Sequence, residues 1–174
     1  SLSLQTLAPC FGGGLRLCFT AMLSFSLRAL SQGALPVVGE LATDDPVWAE
    51  GDVRPLGSIG VTGRLSGAGS GRFYFSGSFQ GTAVGECRRC LASVETPVQG
   101  DLQVLFADAD DENADEPDVF PLSEVGTMVD LRPAVREQWL LEAPVLPLCR
   151  PECLGLCPTC GADRNAGPCG CARS

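Results

Sequence analysis

The residues best suited to chemistry in this chain are cysteines gathered near its end. Six of them fall within the 23 residues of the segment 149–171, at Cys149, Cys153, Cys157, Cys160, Cys169 and Cys171. Cys157 and Cys160 belong to the motif Cys-Pro-Thr-Cys-Gly. Two thiolates separated by two residues can bind one metal ion from a tight turn, and the small residue that follows leaves backbone N–H groups free to bond the sulfurs. The spacing therefore predicts a zinc knuckle.

A structural zinc ion takes four ligands, so this knuckle needs a second pair of thiolates. Cys149 with Cys153 lies just upstream, and Cys169 with Cys171 lies just downstream. The sequence does not choose between these two pairs. Disulfides are the alternative, because six cysteines in a loop-rich tail could form three bridges, but the crowded Cys-Pro-Thr-Cys turn favours metal in a reducing cell.

A second Cys-x-x-Cys motif, Cys87-Arg-Arg-Cys90, lies far from the tail in sequence. Two arginines beside the thiols would stabilise the thiolates, which suits a redox pair as well as a metal site. Redox motifs of this kind belong at the N-terminus of a helix, however, whereas the residues after Cys90 have the pattern of a strand. Metal binding or a structural role is therefore the preferred interpretation, with thiol redox chemistry as the alternative.

The number of cysteines supports a more specific hypothesis. If Cys10 and Cys18 are set aside, eight of the ten cysteines remain, which is the number that two sites of four thiolates require. We expect the pair Cys87 and Cys90 to share a zinc ion with one of the tail pairs, which would fasten the tail to the body of the protein. One or two structural zinc ions are predicted in total.

The composition excludes many kinds of active site. The net charge is −9, and all 12 basic residues are arginines because the chain has no lysine; it also has no histidine. A P-loop, a Schiff base, a serine–histidine or cysteine–histidine dyad and a histidine-ligated metal are therefore excluded. The acidic balance argues against a broad nucleic-acid interface and makes a basic protein the easier partner.

The apolar periodicity predicts an antiparallel β-sheet that carries the first motif. Residues 59–65 alternate as a strand, and the glycine-rich run 67–71 predicts the turn of a hairpin. Two further strands follow, with one face made by Phe73, Phe75, Phe79 and Ala83 and then by Val94, Val98, Leu102, Val104 and Phe106. Gly77 and Gly81 are expected to be bulges or points of close approach. Cys87 and Cys90 would then lie at the tip between the last two strands.

A helix is predicted from Leu131 to about Leu141, with Asp130 as its N-cap and Pro133 in the first turn. Leu131, Val135 and Trp139 would share its buried face. The predicted fold class is α+β, mainly antiparallel β-sheet with one or two short helices and a cysteine-rich, zinc-ribbon-like C-terminal tail. Residues 31–52 are expected to form a loop or a short edge element.

Three regions are predicted along the chain. Residues 1–21 contain no acidic residue and precede Met22, so we interpret them as an upstream extension, with a targeting peptide over 1–39 as the alternative. Residues 22–143 form the β-rich core, in which the acidic run 108–118 is a solvated loop or a docking surface for a basic protein. Residues 144–174 form the zinc-binding tail. No run reaches the ~18 apolar residues that a membrane span needs.

Several separated motifs together resemble the YceD family, whose members are described as large ribosomal RNA subunit accumulation proteins. The resemblance spans about residues 22–171 and depends on Glu86-Cys87-Arg88-Arg89-Cys90-Leu91, Val129-Asp130-Leu131 with Glu137-Gln138, Pro144-Val145-x-Pro147-Leu148-Cys149, and Gly155-Leu156-Cys157-Pro158-x-Cys160-Gly161. The family usually has Asn-Leu-Asn where this chain has Asp163-Arg164-Asn165.

The resemblance implies a non-enzymatic factor, bacterial or in plants plastid, that is needed for the synthesis, processing or stability of large-subunit ribosomal RNA. It also implies a cytoplasmic location in bacteria. The expected partner is this RNA or its precursor particle, or a basic large-subunit ribosomal protein.

Two modes of action follow. The chain could hold a basic ribosomal protein through its acidic loop and sheet edge, or it could contact RNA directly. Direct contact would use arginines brought together where the hairpin tip folds against the tail, namely Arg88, Arg89, Arg150, Arg164 and Arg173.

Overall fold

Three long antiparallel strands form the centre of the molecule. The computed structural model describes residues 23–111, 116, 119–122 and 127–171. Strands β3 (Ile59–Gly69), β4 (Arg72–Glu86) and β5 (Ser93–Ala107) are consecutive neighbours in one sheet. Strands β4 and β5 pair along almost their whole length, down to Glu86 opposite Ser93. The three predicted strands are confirmed, and the tip that joins β4 to β5 carries Cys87 and Cys90.

Two shorter strands complete this sheet, giving the order β2-β3-β4-β5-β6. Strand β2 (Leu35–Leu41) pairs antiparallel with β3, and β6 (Val119–Pro121) pairs parallel with β5. The segment expected to be a loop or a short edge element is therefore an edge strand of seven residues followed by a loop. Val37 and Leu41 point into the core, so burial of alternate residues drives strand formation there.

A second, two-stranded sheet joins β1 (Ser24–Ser26) to β7 (Met128–Asp130). Strand β1 has only three residues because α1 (Leu27–Leu30) follows it directly. The Ser26 hydroxyl accepts a hydrogen bond from the Arg28 N–H, which caps this helical turn.

The predicted C-terminal helix is present as α2 (Arg132–Glu142), and Leu131, Val135 and Trp139 are all fully buried. The N-cap prediction is wrong by one residue, because Leu131 holds that position and makes no side-chain cap. Asp130 nevertheless accepts the Arg132 N–H at 3.0 Å and also pairs with the Arg132 guanidinium. The Asp130 carboxylate therefore still offsets the partial positive charge at the N-terminus of the helix.

The core lies between one face of the five-stranded sheet and α2. Phe75, Phe79 and Phe106 on the sheet are buried together with Trp139 on the helix. The predicted close approach at Gly81 is confirmed, since a Cβ atom added there would lie 2.9 Å from the Trp139 ring. The Trp139 indole N–H donates to the Val53 carbonyl at 2.6 Å, which ties the loop after β2 to the helix.

Over the described residues, the architecture confirms an α+β fold with mainly antiparallel strands and two helices. The proposed boundary between a core and a tail at residue 144 stays a prediction. Residues 1–21 and Met22 lie outside the described residues, as does part of the acidic run 108–118. Among the described residues of that run, Asp111 forms a bidentate ion pair with Arg72. Among the described residues, no helix is long and apolar enough to cross a membrane.

Candidate metal centres

The tip between β4 and β5 is a knuckle with a defined backbone structure. The Leu91 N–H donates to the Cys87 carbonyl at 2.9 Å, and the Cys87 N–H donates to the Ala92 carbonyl at 2.8 Å. Leu91 adopts a left-handed conformation, with φ of 61°. These bonds close a tight turn that leaves both cysteine side chains on one side of the hairpin tip.

The same turn is repeated in the tail. The Gly161 N–H donates to the Cys157 carbonyl at 2.8 Å, and the Cys157 N–H donates to the Ala162 carbonyl at 2.8 Å. Gly161 is left-handed, with φ of 72°. The two Cys-x-x-Cys motifs are thus two copies of one structure, although only the second has the glycine that usually marks it.

The hairpin-tip cysteines meet the first pair of tail cysteines. The sulfur atoms of Cys87, Cys90, Cys149 and Cys153, hereafter the first cluster, all lie within 4.8 Å of one another. The Cys87 and Cys153 sulfurs are 3.8 Å apart, and the Cys90 and Cys149 sulfurs are 3.6 Å apart. Tetrahedral zinc with Zn–S bonds of about 2.3 Å places its sulfurs about 3.8 Å apart. The first cluster matches that spacing, which is far longer than the ~2 Å of a disulfide.

The remaining tail cysteines form a second group. The sulfurs of Cys157, Cys160, Cys169 and Cys171, hereafter the second cluster, also lie within 4.8 Å of one another. All eight cysteines carry free thiols in the structure. The sequence left open which tail pair each Cys-x-x-Cys motif would meet, and the fold brings Cys149 and Cys153 to the hairpin tip and Cys169 and Cys171 to the tail knuckle.

Backbone hydrogen bonds hold the tail against the hairpin tip. The Arg88 N–H donates to the Pro147 carbonyl at 3.0 Å, and the Leu156 N–H donates to the Arg89 carbonyl at 3.1 Å. Gly155 lies so close to the tip that a Cβ atom on it would be 2.9 Å from the Arg89 carbonyl oxygen. The geometry of the first cluster therefore depends on contacts between segments about 60 residues apart in sequence.

Backbone groups stabilise the thiolate of the first cysteine in each turn. The Cys149, Arg89 and Cys90 backbone groups bond to the Cys87 sulfur and lower its pKa to about 6. Backbone bonds from Cys160 and Thr159 likewise lower the pKa of Cys157 to about 6. Hydrogen bonds to sulfur favour the charged form that a metal ion requires.

Two other thiols of the same clusters have raised rather than lowered pKa values. The Cys153 sulfur and burial raise the pKa of Cys149 to about 12, and the Cys160 sulfur and burial raise the pKa of Cys171 to about 11. Four sulfurs this close cannot all be thiolates unless a cation compensates their charge. The residues present therefore fit a soft divalent cation with four sulfur ligands, and the donor set is that of a structural zinc site.

Asn165 is a site residue that sequence reasoning did not assign. Its side-chain N–H donates to the Cys153 sulfur at 3.4 Å, and its side-chain oxygen accepts the Leu154 N–H at 2.8 Å. No periodicity or spacing marks this residue, which lies inside the spacer between Cys160 and Cys169. Its role follows only from the folded path of the tail.

Four of the five candidate contact arginines surround the first cluster, and Arg173 lies outside the described residues. Arg89 donates to the carbonyl oxygens of Pro151 and Cys153, at 3.3 and 2.9 Å, and Arg150 donates to the Asn165 side chain at 2.8 Å. All four of these arginines are exposed. In the part of the chain that the structure describes, none of the four forms an ion pair with a carboxylate.

The described residues thus form a β-rich α+β domain with two four-cysteine clusters, one of which joins a hairpin tip to the tail. The family model described as "Large ribosomal RNA subunit accumulation protein YceD" matches residues 75–174, a stretch that contains both clusters. The chain belongs to this family. The match begins within β4, later than the resemblance drawn from about residue 22.

Mycobacterial relatives match a similar share of the chain. Uncharacterized proteins of Mycobacterium tuberculosis and Mycobacterium bovis are each 40% identical over 96 residues, which are 53% of this chain and 45% of the relative. One from Mycobacterium leprae is 36% identical over 96 residues, or 43% of its length. The matched stretch thus spans somewhat less than half of these relatives. No solved structure matches the chain.

Proposed function

We propose that this protein supports the accumulation of large-subunit ribosomal RNA as a non-enzymatic assembly factor. The family match over residues 75–174 is the observation that carries the proposal, because it covers the hairpin tip, α2 and all eight clustered cysteines. The family is described by an RNA-accumulation role rather than by a reaction. In a bacterial cell such a factor acts in the cytoplasm, where ribosomes are assembled.

The two clusters are proposed to bind structural zinc, one ion each. Four sulfurs at the separations of the first cluster suit tetrahedral zinc, and the backbone bonds to Cys87 and Cys157 stabilise the thiolates that would hold it. Bound zinc would supply cross-links rather than chemistry. The first cluster would fasten residues 149–153 to the end of the sheet, and the second would close the tail on itself, as in a zinc ribbon.

The proposed mode of action is an adaptor that holds a basic protein of the large subunit. The chain has a net charge of −9, and each cluster of four thiolates with one Zn²⁺ adds a formal charge of −2. All four arginines are exposed, but the guanidinium groups of Arg89 and Arg150 already donate to tail acceptors, which leaves Arg88 and Arg164 as the two whose side chains make no such bond in the described part of the chain. Two arginines make a small footprint for RNA, so protein contact is favoured.

Direct RNA contact is the second candidate, since no carboxylate in the described part of the chain pairs with Arg88 or Arg164. RNA crosslinking of the double variant Arg88→Glu and Arg164→Glu distinguishes the two modes. Loss of crosslinking supports direct contact, whereas unchanged crosslinking excludes it. The double variant Arg28→Glu and Arg64→Glu is the matched control, because it makes the same total charge change at two exposed arginines, in α1 and β3.

Depletion of the protein in its own host tests the function as a whole. Large-subunit RNA should fall selectively against small-subunit RNA, and the protein should sediment with precursor particles in a gradient. Restoration by wild-type protein, but not by a variant that lacks the first cluster, would link the function to the metal centres. Unchanged levels of both RNAs, with the protein at the top of the gradient, would contradict the proposal and favour the thiol redox alternative.

A further inference from the structure

The two clusters share one stretch of backbone and are not independent modules. Cys153 is the last ligand of the first cluster, and Cys157 begins the second only four residues later. The spacer between Cys160 and Cys169 then folds back over this stretch. Asp163 forms a β-bridge with Leu156, and the Arg164 N–H donates to the Gly155 carbonyl at 3.0 Å.

Asn165 lies where the spacer of the second cluster touches the first cluster. Its amide N–H donates to the Cys153 sulfur at 3.4 Å, and its amide oxygen accepts from the Leu154 N–H and from Arg150, both at 2.8 Å. Cys153 is only 3% exposed, so bulk water cannot easily replace this donor. One side chain therefore bonds a ligand sulfur of the first cluster and fixes the backbone beside it.

The position of Asn165 depends in turn on the second cluster. Its backbone and side-chain N–H groups both donate to Asp163 Oδ1, at 2.9 and 2.7 Å, within a turn closed by the Ala166 N–H on the Asp163 carbonyl. This turn belongs to a spacer whose two ends are ligands of the second cluster, Cys160 and Cys169. Metal at the second cluster would fix both ends and so restrict where Asn165 can lie.

We propose that Asn165 is a positioning residue that couples the two metal sites, so that metal in the second cluster strengthens binding at the first. The inference rests on the zinc sites proposed above. Ordering of the spacer by the second metal reduces the entropy cost of placing the amide against the Cys153 sulfur. Coupling is reciprocal, so metal in the first cluster strengthens binding at the second by the same factor.

Metal titration of the full chain tests this coupling without reference to ribosomes. Zinc affinity is measured by competition with a chromophoric chelator, and cobalt(II) spectra report whether each site has four thiolate ligands. The second cluster is disabled by Cys160→Ser with Cys169→Ser. The zinc affinity of the first cluster should then fall about 10- to 100-fold, the range seen when partners of metal ligands are removed.

Asn165 is tested by a cycle of variants. Asn165→Ala should weaken the first cluster by a similar factor in the otherwise intact chain, but cause little further loss when the second cluster is already disabled. Asn165→Asp, which keeps the size but removes the N–H donor and adds charge beside the sulfur, should weaken it at least as much. Arg164→Ala is the control, because only the backbone of Arg164 takes part in the contact.

The outcomes separate this inference from the proposed function. First-cluster affinity that is unchanged after disabling the second cluster would overturn the coupling. The role of Asn165 would be overturned if disabling the second cluster lowered the zinc affinity of the first but Asn165→Ala did not. It would also be overturned if the two losses of affinity added fully when the substitutions were combined. Failure of the wild-type chain to bind any zinc would instead contradict the metal sites themselves, and leave the RNA-accumulation role to be judged by depletion.

Discussion

Leu91 and Gly161 occupy the same position in the two knuckles. Each N–H donates to the carbonyl of the first cysteine of its motif, at 2.9 and 2.8 Å, and the backbone φ angles are 61° and 72°. Glycine adopts this conformation freely, whereas a side chain with a Cβ atom is strained by about 1–2 kcal/mol. The leucine is 59% exposed, so core packing does not offset the strain.

Leu91→Gly should therefore stabilise the hairpin tip. We expect a net gain of about 0.5–1 kcal/mol in the free energy of unfolding, because relief of strain exceeds the extra chain entropy of glycine in the unfolded state. Leu91→Ala is the matched control, since it removes the same exposed side chain but keeps the Cβ atom. Urea unfolding of the zinc-loaded proteins measures both, and equal stabilities of the two variants would show that the strain at residue 91 does not exceed the entropy cost of glycine.

Removal of the hairpin-tip thiols should release the tail at one end only. The double variant Cys87→Ser and Cys90→Ser should bind one zinc ion rather than two, because the second cluster contains neither residue. Leu146 and Leu154 should become more sensitive to a leucine-cleaving protease, since the first cluster is the cross-link between their segment and the sheet. Retention of two zinc ions would show that the tail is self-sufficient. Cys10→Ser with Cys18→Ser controls for thiol loss outside the clusters.

Gly81→Ala should destabilise the core beneath α2. The added Cβ atom would lie 2.9 Å from the Trp139 ring and 3.3 Å from an Ile59 side-chain carbon, and both neighbours are fully buried. Overpacking of this kind costs about 1–3 kcal/mol in the free energy of unfolding. Gly67→Ala adds the same methyl group with nothing within 4 Å and should change stability by less than about 0.5 kcal/mol. Thermal denaturation measures the stability of both variants. If Gly81→Ala were as stable as Gly67→Ala, the helix would be able to move away from the sheet to make room for the added methyl group.

The ion pair between Asp52 and Arg136 should add stability that disappears in acid. Two hydrogen bonds, at 2.7 and 2.9 Å, join them, and the Arg136 guanidinium lowers the pKa of the Asp52 carboxyl in the folded state. A lowered pKa means that the stabilisation is fully present above the unfolded-state pKa of about 3.9. It is then lost as pH falls through the folded-state pKa.

Asp52→Asn isolates this contribution. The difference in free energy of unfolding between wild type and variant should be constant from pH 7 to about 5 and should shrink as pH falls below about 3.9. Loss of metal in acid affects both proteins and cancels in the difference. Asp110→Asn, the same substitution at an exposed carboxylate, is the control. A difference that persists at the lowest pH would mean that the asparagine disrupts packing rather than charge.

Much of the fold follows from local patterns. Alternation along β4 and β5 predicted most of the buried residues, because successive side chains of a strand point to opposite faces, although Phe73 and Val94 are only partly buried. The i, i+4 spacing of Leu131, Val135 and Trp139 predicted the buried face of α2. The start of α2 was missed by one residue, and β2 was expected as no more than a loop or a short edge element. Caps and edge strands depend on neighbours that periodicity does not show.

The ligand chemistry follows from residue types alone: eight cysteines lie in positions suited to metal, two pairs form Cys-x-x-Cys motifs, and the chain has neither lysine nor histidine to support other mechanisms. Which cysteines meet depends instead on how the chain folds. Cys87 and Cys149 are 62 residues apart, and the sheet brings them together by placing the β4–β5 tip against the segment after α2. The same folding gave Asn165 its place beside Cys153. Ligand type is a property of single residues, whereas ligand grouping depends on the path of the whole chain.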